Sequence, residues 1–436
     1  MATSPTQVLR KENPVAKRLL QKLGPGLITG ASDDDPSGIA TYSQVGAQFG
    51  YGMLWTMLFS YPLMAAIQEI SARIGRVTGS GIAGNMRRYY PRALLLSMVS
   101  LLVVANTFNL GADIGAMGVA LTLLIPGRTE FYVVILGAAS LLLQVLVPYT
   151  KYVHYLKWST LALFSYVAVV FVVHVPWGEA IRATLLPSFS RQAGYFTALI
   201  AVLGTTISPY LFFWQASQEV EEVQANPADK PLKQAPQQAP AQLERIRIDT
   251  YIGMAFSNVI GFFIMLTTAV TLHAHGQSDI ETATQAAQAL EPLAGRFTFL
   301  LFTAGIIATG LLAVPVLAGS AAYAVGEALN WHASLERKPQ EAKRFYGAIA
   351  AATLIGLSLA LRHYNPIKAL FWAAVLNGVV SVPLMVVMML MTANPKVMGK
   401  FTLPWPLKVA GWIAIAVMAV ASTGLFATLV GQIALR

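Results

Sequence analysis

The stretch GPGLITGASDDDPSGIATYSQVGAQFG, residues 24–50, carries three adjacent aspartates in the middle of an apolar segment that is long enough to cross a membrane. Three charges at the centre of a bilayer would be very costly on a continuous helix facing lipid. Pro36 follows Asp35 directly and removes a backbone donor. Irregular backbone at that depth is tolerated only where it is buried in protein or lines a cavity. The sequence therefore predicts a helix that is broken just after the aspartates, with the break facing the protein interior.

The composition of the whole chain is that of a polytopic membrane protein. Of its 436 residues, 56% are hydrophobic and only 11% are charged, and the mean hydropathy is +0.58. An ordinary soluble domain carries about 25% charged residues. These values exclude a soluble enzyme, a disordered chain and a fibrous protein. The chain has no cysteine, which excludes disulfides, thiolate metal sites and cysteine nucleophiles. No nucleotide-binding loop or nucleophile motif is visible, so we expect no enzyme activity.

Eleven apolar stretches are candidate membrane spans, because a helix needs about 20 apolar residues to cross the hydrocarbon core. The ninth is the shortest and is rich in Ala and Gly. The stretches lie at about 24–47, 50–75, 93–125, 130–149, 153–176, 195–217, 250–273, 297–326, 345–361, 366–392 and 404–433.

The positive charges favour one orientation of these spans. With the N-terminus inside, 23 of the 30 Lys and Arg residues fall in cytoplasmic segments and 7 fall outside. Such a bias follows the positive-inside rule and explains the net charge of +10 without a nucleic-acid partner. We expect residues 1–23 to be a cytoplasmic tail with no cleavable signal peptide, and the C-terminus to lie outside. Residues 24–436 then form one transmembrane domain.

Two connecting segments have their own predictions. Residues 224–242, between spans six and seven, are rich in Pro, Gln and Ala, which predicts a flexible cytoplasmic linker. Residues 280–293 are expected to form a short amphipathic helix outside.

Span six has a second central interruption, from Gly204 to Pro209. Four intact spans separate the two breaks. Interrupted segments at matching positions of two halves predict inverted five-helix repeats with a binding site near the bilayer midplane. Repeat one would cover about 24–176 and repeat two about 195–392, with an extra helix at about 404–433. The breaks supply Asp, Thr, Ser and backbone oxygens, which suit a hard divalent cation.

Three segments resemble the Nramp family of divalent metal transporters. They are DPSGI at 35–39, PLMAAIQEISARIGRVTG at 62–79 and GADIGAMGVAL at 111–121. The resemblance runs from about Gly24 to the C-terminus. It implies an all-α membrane protein of about 11 transmembrane helices with a LeuT-type fold, in which helices 1 and 6 are broken. It also implies transport of Mn²⁺ or Fe²⁺ coupled to protons.

The sequence departs from the family at the positions expected to bind metal. Asp35 matches the family's metal-binding Asp, but the family's Asn falls on Gly38, which has no side chain. In span six, the family's Ala, Met and His fall on Thr205, Ser208 and Tyr210. The thioether that favours transition metals over Mg²⁺ is therefore missing.

A divergent branch of the family, the Nramp-related magnesium transporters, is similar in lacking the soft ligand. Asp113 matches an acidic residue of the family's proton route, whereas the nearby Glu position is Ala116. Mg²⁺ dehydrates reluctantly and usually keeps several waters, so a site with fewer side-chain ligands suits it. We expect Mg²⁺ to be the first candidate substrate and Mn²⁺ the second.

The residues expected at the site fall into three groups: metal ligands, groups on an ion or proton pathway, and residues that line the site. The metal ligands are Asp35, Asp34, Gly38, Thr205 and Ser208; the pathway groups are Asp113, Glu69 and Asp33; the lining residues are Tyr210, Asn377 and Ser381.

Each group also has a purely structural interpretation. Asp35 could cap the outer half of span one without contacting an ion. The hydroxyls of Thr205 and Ser208 could bond back to carbonyls that the break leaves free. Glu69 could form an ion pair with Arg73, four residues along the same helical face.

The sequence thus predicts a secondary transporter of a hard divalent cation, acting as a monomer in the plasma membrane, which is the inner membrane of a bacterium. Its partners would be the metal ion and the lipid bilayer. No cofactor is expected beyond the transported ion. The alternative is a carrier of an organic substrate such as an amino acid or amine, with Asp35 binding an ammonium group.

Overall fold

The computed structural model describes residues 25–147, 160–190, 192, 194–331, 334–335, 337–362 and 365–434. This part of the chain contains eighteen α-helices, short 3₁₀ turns and no strand. The helices in chain order are α1 (Pro25–Asp33), α2 (Pro36–Phe49), α3 (Trp55–Thr78), α4 (Ile82–Tyr89), α5 (Arg92–Thr122), α6 (Thr129–Leu146), α7 (Phe164–Val172), α8 (Trp177–Leu185), α9 (Tyr195–Thr206), α10 (Pro209–Ala225), α11 (Ala239–Thr271), α12 (Ala283–Gln288), α13 (Glu291–Ala294), α14 (Thr298–Ala328), α15 (Lys343–Ala360), α16 (Pro366–Ala393), α17 (Pro395–Met398) and α18 (Trp405–Ala434).

Thirteen of these helices overlap the predicted spans, and the short helices α4, α8, α12, α13 and α17 lie between them. The start of span five and the predicted tail at 1–23 lie outside the described residues, and α7 covers the end of span five. Seven helical stretches in the described part are long and apolar enough to cross a membrane by themselves. The count of eleven crossings stays a prediction. Large apolar side chains are exposed along α6, α7 and α18, a surface that a bilayer would cover.

Both predicted breaks are present, and a proline begins the second half-helix in each. The first span is divided into α1 and α2, which starts at Pro36. The sixth span is divided into α9 and α10, which starts at Pro209. Proline suits the first helical position because its missing N–H would have no partner inside the helix. The sequence correctly predicted that both helices break beside these prolines.

The half-helices are held in the bundle by α11 and α16. Helix α11 packs against α1, α2 and α3, while α16 packs against α9 and α5. Close backbone contacts tie two of these pairs together. A Cβ on Gly30 of α1 would overlap the carbonyl oxygen of Gly253 in α11, and one on Gly204 of α9 would overlap the carbonyl oxygen of Ala374 in α16.

The Pro- and Gln-rich linker predicted at 224–242 is ordered, so the prediction of flexibility was wrong. The amide of Leu232 donates to the carbonyl of Arg76 at 3.1 Å, and that of Lys233 donates to Val77 at 3.2 Å. Leu232 itself is fully buried. Backbone pairing with the end of α3 and a few buried apolar side chains hold this segment, although its composition is typical of a linker. The outer segment does contain a short helix, α12, with Thr282 as its cap.

Candidate functional site

Asp35 lies in the first break and caps α2. Its Oδ1 accepts hydrogen bonds from the backbone N–H of Gly38 at 2.7 Å and from the hydroxyl of Ser37 at 2.8 Å. The residue is extended, with φ −71° and ψ 170°, as an N-cap requires. The structural interpretation of Asp35 is therefore observed. It does not exclude a bound ion, because a carboxylate has a second oxygen and about four lone pairs in all.

The second oxygen of Asp35 faces α5, where the sequence analysis had missed a residue. Asn109 donates from Nδ2 to Asp35 Oδ2 at 3.0 Å and to Asp113 Oδ2 at 3.3 Å. One amide group thus bridges two carboxylates that are both fully buried. Asn109 lies four residues before Asp113, on the same helical face. That spacing was the signal in the sequence that could have pointed to it.

Asp33 and Asp34 face another helix. The hydroxyl of Ser257 in α11 lies 2.5 Å from Asp33 Oδ2 and 3.0 Å from Asp34 Oδ1. The remaining oxygens, Asp33 Oδ1 and Asp34 Oδ2, have no hydrogen-bond partner among the described residues. The three adjacent aspartates are therefore divided between α5 and α11. No three His, Cys, Asp or Glu side chains in the described part gather into a metal-binding cluster.

Gly38 and Thr205 are brought together where the two breaks meet. A Cβ built on Gly38 would lie 3.1 Å from Thr205 Oγ1 and 3.4 Å from both the Asp33 carbonyl oxygen and Asp35 Oδ1. Three oxygens of different kinds thus border the space that a side chain would occupy. Such a donor set suits a hard cation and contains no soft ligand.

The second break is satisfied by hydroxyl groups. Ser208 donates to the carbonyls of Gly204 and Thr205, each at 2.9 Å, as the structural interpretation predicted. Ser381 of α16 donates to the carbonyl of Ile207 at 2.7 Å. These bonds pair backbone groups that no helix can satisfy at this depth.

Tyr210 and Asn377 are both buried next to the breaks. The Tyr210 hydroxyl donates to the carbonyl of Ser32 at 3.3 Å and so links the two breaks. Asn377 lies one turn before Ser381 on α16, and its Oδ1 has no partner among the described residues. Both positions agree with the predicted lining, although their part in ion binding stays a prediction.

Negative charge at the breaks is not balanced by nearby basic side chains. Asp33, Asp34, Asp35 and Asp113 are each at most 1% exposed. No Lys or Arg forms an ion pair with any of them within the residues that the structure describes. A buried charge without a partner is very costly, so this group requires protons or a cation.

Glu69 forms an ion pair with Arg73 on its own helix, α3. Its Oε1 lies 2.6 Å from Arg73 Nη2 and 2.8 Å from Arg73 Nε. This is the ion pair of the structural interpretation. A pathway role for Glu69 stays a prediction.

A network of charged residues joins the helices at the predicted cytoplasmic end. Arg245 of α11 pairs with Glu219 at 2.5 Å and Glu222 at 2.7 Å, both on α10. Asp249, one turn further along α11, accepts the backbone N–H of Gly26 at 2.6 Å and so holds the start of α1. The Arg245 pairs thus tie α10 to α11, and Asp249 ties α1 to α11.

The opposite end carries a cavity of about 330 Å³ between α2, α9 and α16. Gln44 and Gln48 of α2 line it, together with Lys368. Helical spacing puts Ser37, Thr41, Gln44 and Gln48 on one face of α2. A polar stripe therefore runs along α2 from the cavity to the residue that hydrogen-bonds Asp35.

Comparison with known proteins agrees with this architecture. The family model "Natural resistance-associated macrophage protein-like" (Nramp) matches residues 26–428. The divalent metal cation transporter MntH of Klebsiella pneumoniae is 25% identical over 414 residues, covering 92% of each chain. MntH of Yersinia enterocolitica is 27% identical over 298 residues, covering 67% of this chain and 69% of its own.

Solved structures share the fold. The manganese transporter of Eremococcus coleocola, in complex with an aromatic bis-isothiourea compound, superimposes with a TM-score of 0.71 at 17% identity, covering 95% of this chain and 87% of its own. A nucleobase-cation-symport-1 family transporter gives a TM-score of 0.54 at 13% identity, covering 93% and 92%. These likenesses confirm the predicted LeuT-type helical fold. With the family model spanning nearly the whole chain, the resemblance seen in the sequence is also confirmed: the chain belongs to the Nramp family.

Proposed function

We propose that this protein is a secondary transporter of a hard divalent cation. The observation that carries the proposal is the group of oxygens around Gly38, next to buried carboxylates that have no basic partner among the described residues. A divalent cation supplies the charge that this group requires, whereas a neutral solute does not. The relatives named as divalent metal cation transporters support the same class of substrate.

Mg²⁺ and Mn²⁺ are the two ions that the donor set favours. Oxygen-only ligands suit both, and the Ser at position 208 removes the thioether that would select a transition metal. The solved relative is a manganese transporter, which favours Mn²⁺. The missing side chain at Gly38 favours an ion that keeps part of its water, which is typical of Mg²⁺.

In this proposal Asp35, Thr205 and the backbone around Gly38 bind the ion. Asp34 adds negative charge from its place beside Ser257, and Ser208 holds the backbone carbonyls of the second break. Asp113 and Asp33 form a charged path on either side of the ion. Tyr210 links the two breaks, and Ser381 holds the second break to α16. The cavity between α2, α9 and α16 admits the ion from outside, and the ion pairs of Arg245 with Glu219 and Glu222 close the inner side. Transport then consists of rocking the half-helices about the site, so that one side opens as the other closes.

The fold alone does not decide between a metal and an organic substrate, because one fold carries many functions. The nucleobase-cation symporter shares the architecture of this chain. The donor set at the breaks is the feature that favours a metal, and nothing at the described site favours an amine instead.

Asp35→Asn tests the proposal in proteoliposomes that report Mn²⁺ uptake with an internal fluorescent indicator. Asn caps a helix about as well as Asp, so this variant keeps the cap and removes the charge. We expect saturable Mn²⁺ uptake by the wild type, competition by Mg²⁺ and almost no uptake by the variant. Glu130→Gln, which neutralises an exposed carboxylate, should transport normally.

Wild-type uptake by Asp35→Asn would overturn the assignment of Asp35. Absence of uptake of every divalent ion by folded wild-type protein would overturn the proposed function and return the organic carrier to first place. Internal pH, recorded in the same experiment, reports whether protons move with the metal.

A further inference from the structure

Asn109 lies between two buried carboxylates and donates a hydrogen bond to each of them. Its Nδ2 lies 3.0 Å from Asp35 Oδ2 and 3.3 Å from Asp113 Oδ2. The two carboxylate oxygens are therefore no farther apart than the sum of these distances. Amide hydrogens carry only partial positive charge, so they balance two carboxylates poorly. The electrostatic potential at this point favours a true cation.

The rest of the Asn109 side chain supports a role beyond donation. Its Oδ1 has no hydrogen-bond partner among the described residues, although the side chain is fully buried. Asp113 Oδ1 also has no hydrogen-bond partner among the described residues. An amide oxygen and nitrogen are nearly isosteric, and a half-turn of the amide exchanges them. After such a turn, the amide oxygen would face the same space as the two carboxylates.

The first break, Asp34 to Gly38, has no side-chain amide of its own. Gly38 has no side chain in the first break, so α2 offers the Ser37 hydroxyl beside Asp35 but no side-chain amide. Asn109 reaches the same carboxylate from α5 and bonds Oδ2, whereas Ser37 and Gly38 bond Oδ1. It is the one side-chain amide that hydrogen-bonds Asp35 among the residues that the structure describes.

We propose that Asn109 is an ion ligand in this protein and forms, with Asp35 and Asp113, a site for a hard divalent cation. This inference rests on the proposed function and adds a ligand from α5 to it. In the ion-free state the amide nitrogen bridges the carboxylates. When the ion arrives, the amide turns over and its Oδ1 coordinates the ion beside one oxygen from each carboxylate. Two carboxylates, one amide and water form a donor set typical of Mg²⁺ and Mn²⁺ sites.

The test compares two substitutions at Asn109 by Mn²⁺ binding to purified protein, measured from the loss of the free Mn²⁺ signal in electron paramagnetic resonance. Asn109→Leu keeps the number and connectivity of the side-chain heavy atoms and removes both donor and acceptor. We expect it to weaken binding by at least about tenfold, the loss that follows when even an outer partner of a metal ligand is removed. Asn109→Asp keeps an oxygen ligand but cannot donate when ionised, so we expect it to bind Mn²⁺ at least as tightly as the wild type.

Asn106 provides a matched control on the same helix. It is also fully buried, but its amide donates to the Leu317 carbonyl at 3.0 Å and the Ser320 hydroxyl at 2.7 Å, away from the carboxylates. Asn106→Leu should lower the melting temperature and leave Mn²⁺ affinity unchanged. Asn106→Asp adds the same charge one turn away and should not strengthen binding.

Each outcome decides the inference. Unchanged affinity in Asn109→Leu, or affinity in Asn109→Asp as weak as in Asn109→Leu, would overturn it and leave Asn109 as a donor that positions Asp35. If the leucine variant cannot be purified, the aspartate variant decides alone. Wild-type protein that binds no divalent ion would overturn the proposed function as well. Failure of the Asn109 inference alone would instead leave Mn²⁺ binding by the wild type intact.

Discussion

At the scale of single residues, Gly38 is the position where a small change has the clearest expected effect. Gly38→Ala would place a methyl group 3.1 Å from Thr205 Oγ1 and 3.4 Å from Asp35 Oδ1. These distances are tight but tolerable, and alanine favours a helix more than glycine does. We expect folded protein whose Mn²⁺ uptake in proteoliposomes is strongly reduced, because the methyl occupies the space between the ligands.

Gly347→Ala serves as the control for that substitution. Gly347 lies in α15, where an added Cβ meets no atom within 4 Å. Its uptake should equal that of the wild type. If Gly38→Ala also transports normally, the oxygens around Gly38 do not hold the ion.

The site residues show what sequence reasoning can and cannot reach. Asp35, Gly38 and Thr205 were predicted because charge and irregular backbone in an apolar span need a special explanation. The direction of each carboxylate was not predictable, and Asp33 and Asp34 turn to Ser257 rather than joining Asp35. Asn109 was missed because a neutral residue on a continuous helix has a simple structural explanation, and only the fold brings it to Asp35.

At the scale of helices, the contact between α1 and α11 should control access from the predicted cytoplasmic side. Gly30→Ala forces α1 away from α11, since the new Cβ would overlap the Gly253 carbonyl oxygen. We expect the inner half-helix to loosen and water to reach its buried face. A single reporter cysteine, Thr29→Cys, measures this, because the chain has no cysteine of its own and Thr29 is fully buried.

Labelling of that cysteine by a maleimide in solubilised protein should be faster in Gly30→Ala than in the parent. Gly305→Ala is the control, as its Cβ meets only the Leu163 side chain, at 3.9 Å. Equal labelling rates in all three proteins would contradict a gating role for this contact.

The elements themselves were predicted to different degrees. Pro36 and Pro209 fixed both breaks, because proline cannot continue a helix but begins one well. The segment at 224–242 was predicted wrongly, since Pro and Gln composition hides the buried Leu232, Ala235 and Ala239 and the backbone pairing with the end of α3. Long-range backbone pairing leaves no local signal in a sequence.

At the scale of the whole molecule, the two ends differ in a way that fits alternating access. The predicted cytoplasmic end is fastened by Arg245 with Glu219 and Glu222, whereas the other end holds the cavity beside Gln44. If the proposed ion site is correct, this asymmetry is what a transporter requires in one of its two states: ion pairs at one end and a cavity at the other. The orientation in the membrane decides which of the two ends faces the cytoplasm.

The orientation is predicted by the uneven distribution of Lys and Arg, and two exposed positions test it. Lys230 lies in the segment predicted to be inside, and Glu281 in the segment predicted to be outside. In intact cells, we expect a membrane-impermeant maleimide to label Glu281→Cys and to spare Lys230→Cys. Both should react once the cells are permeabilised, which controls for the reactivity of each cysteine. The opposite pattern would place the cavity on the cytoplasmic side and the Arg245 network on the outer side. The ion would then enter the cavity from the cytoplasm.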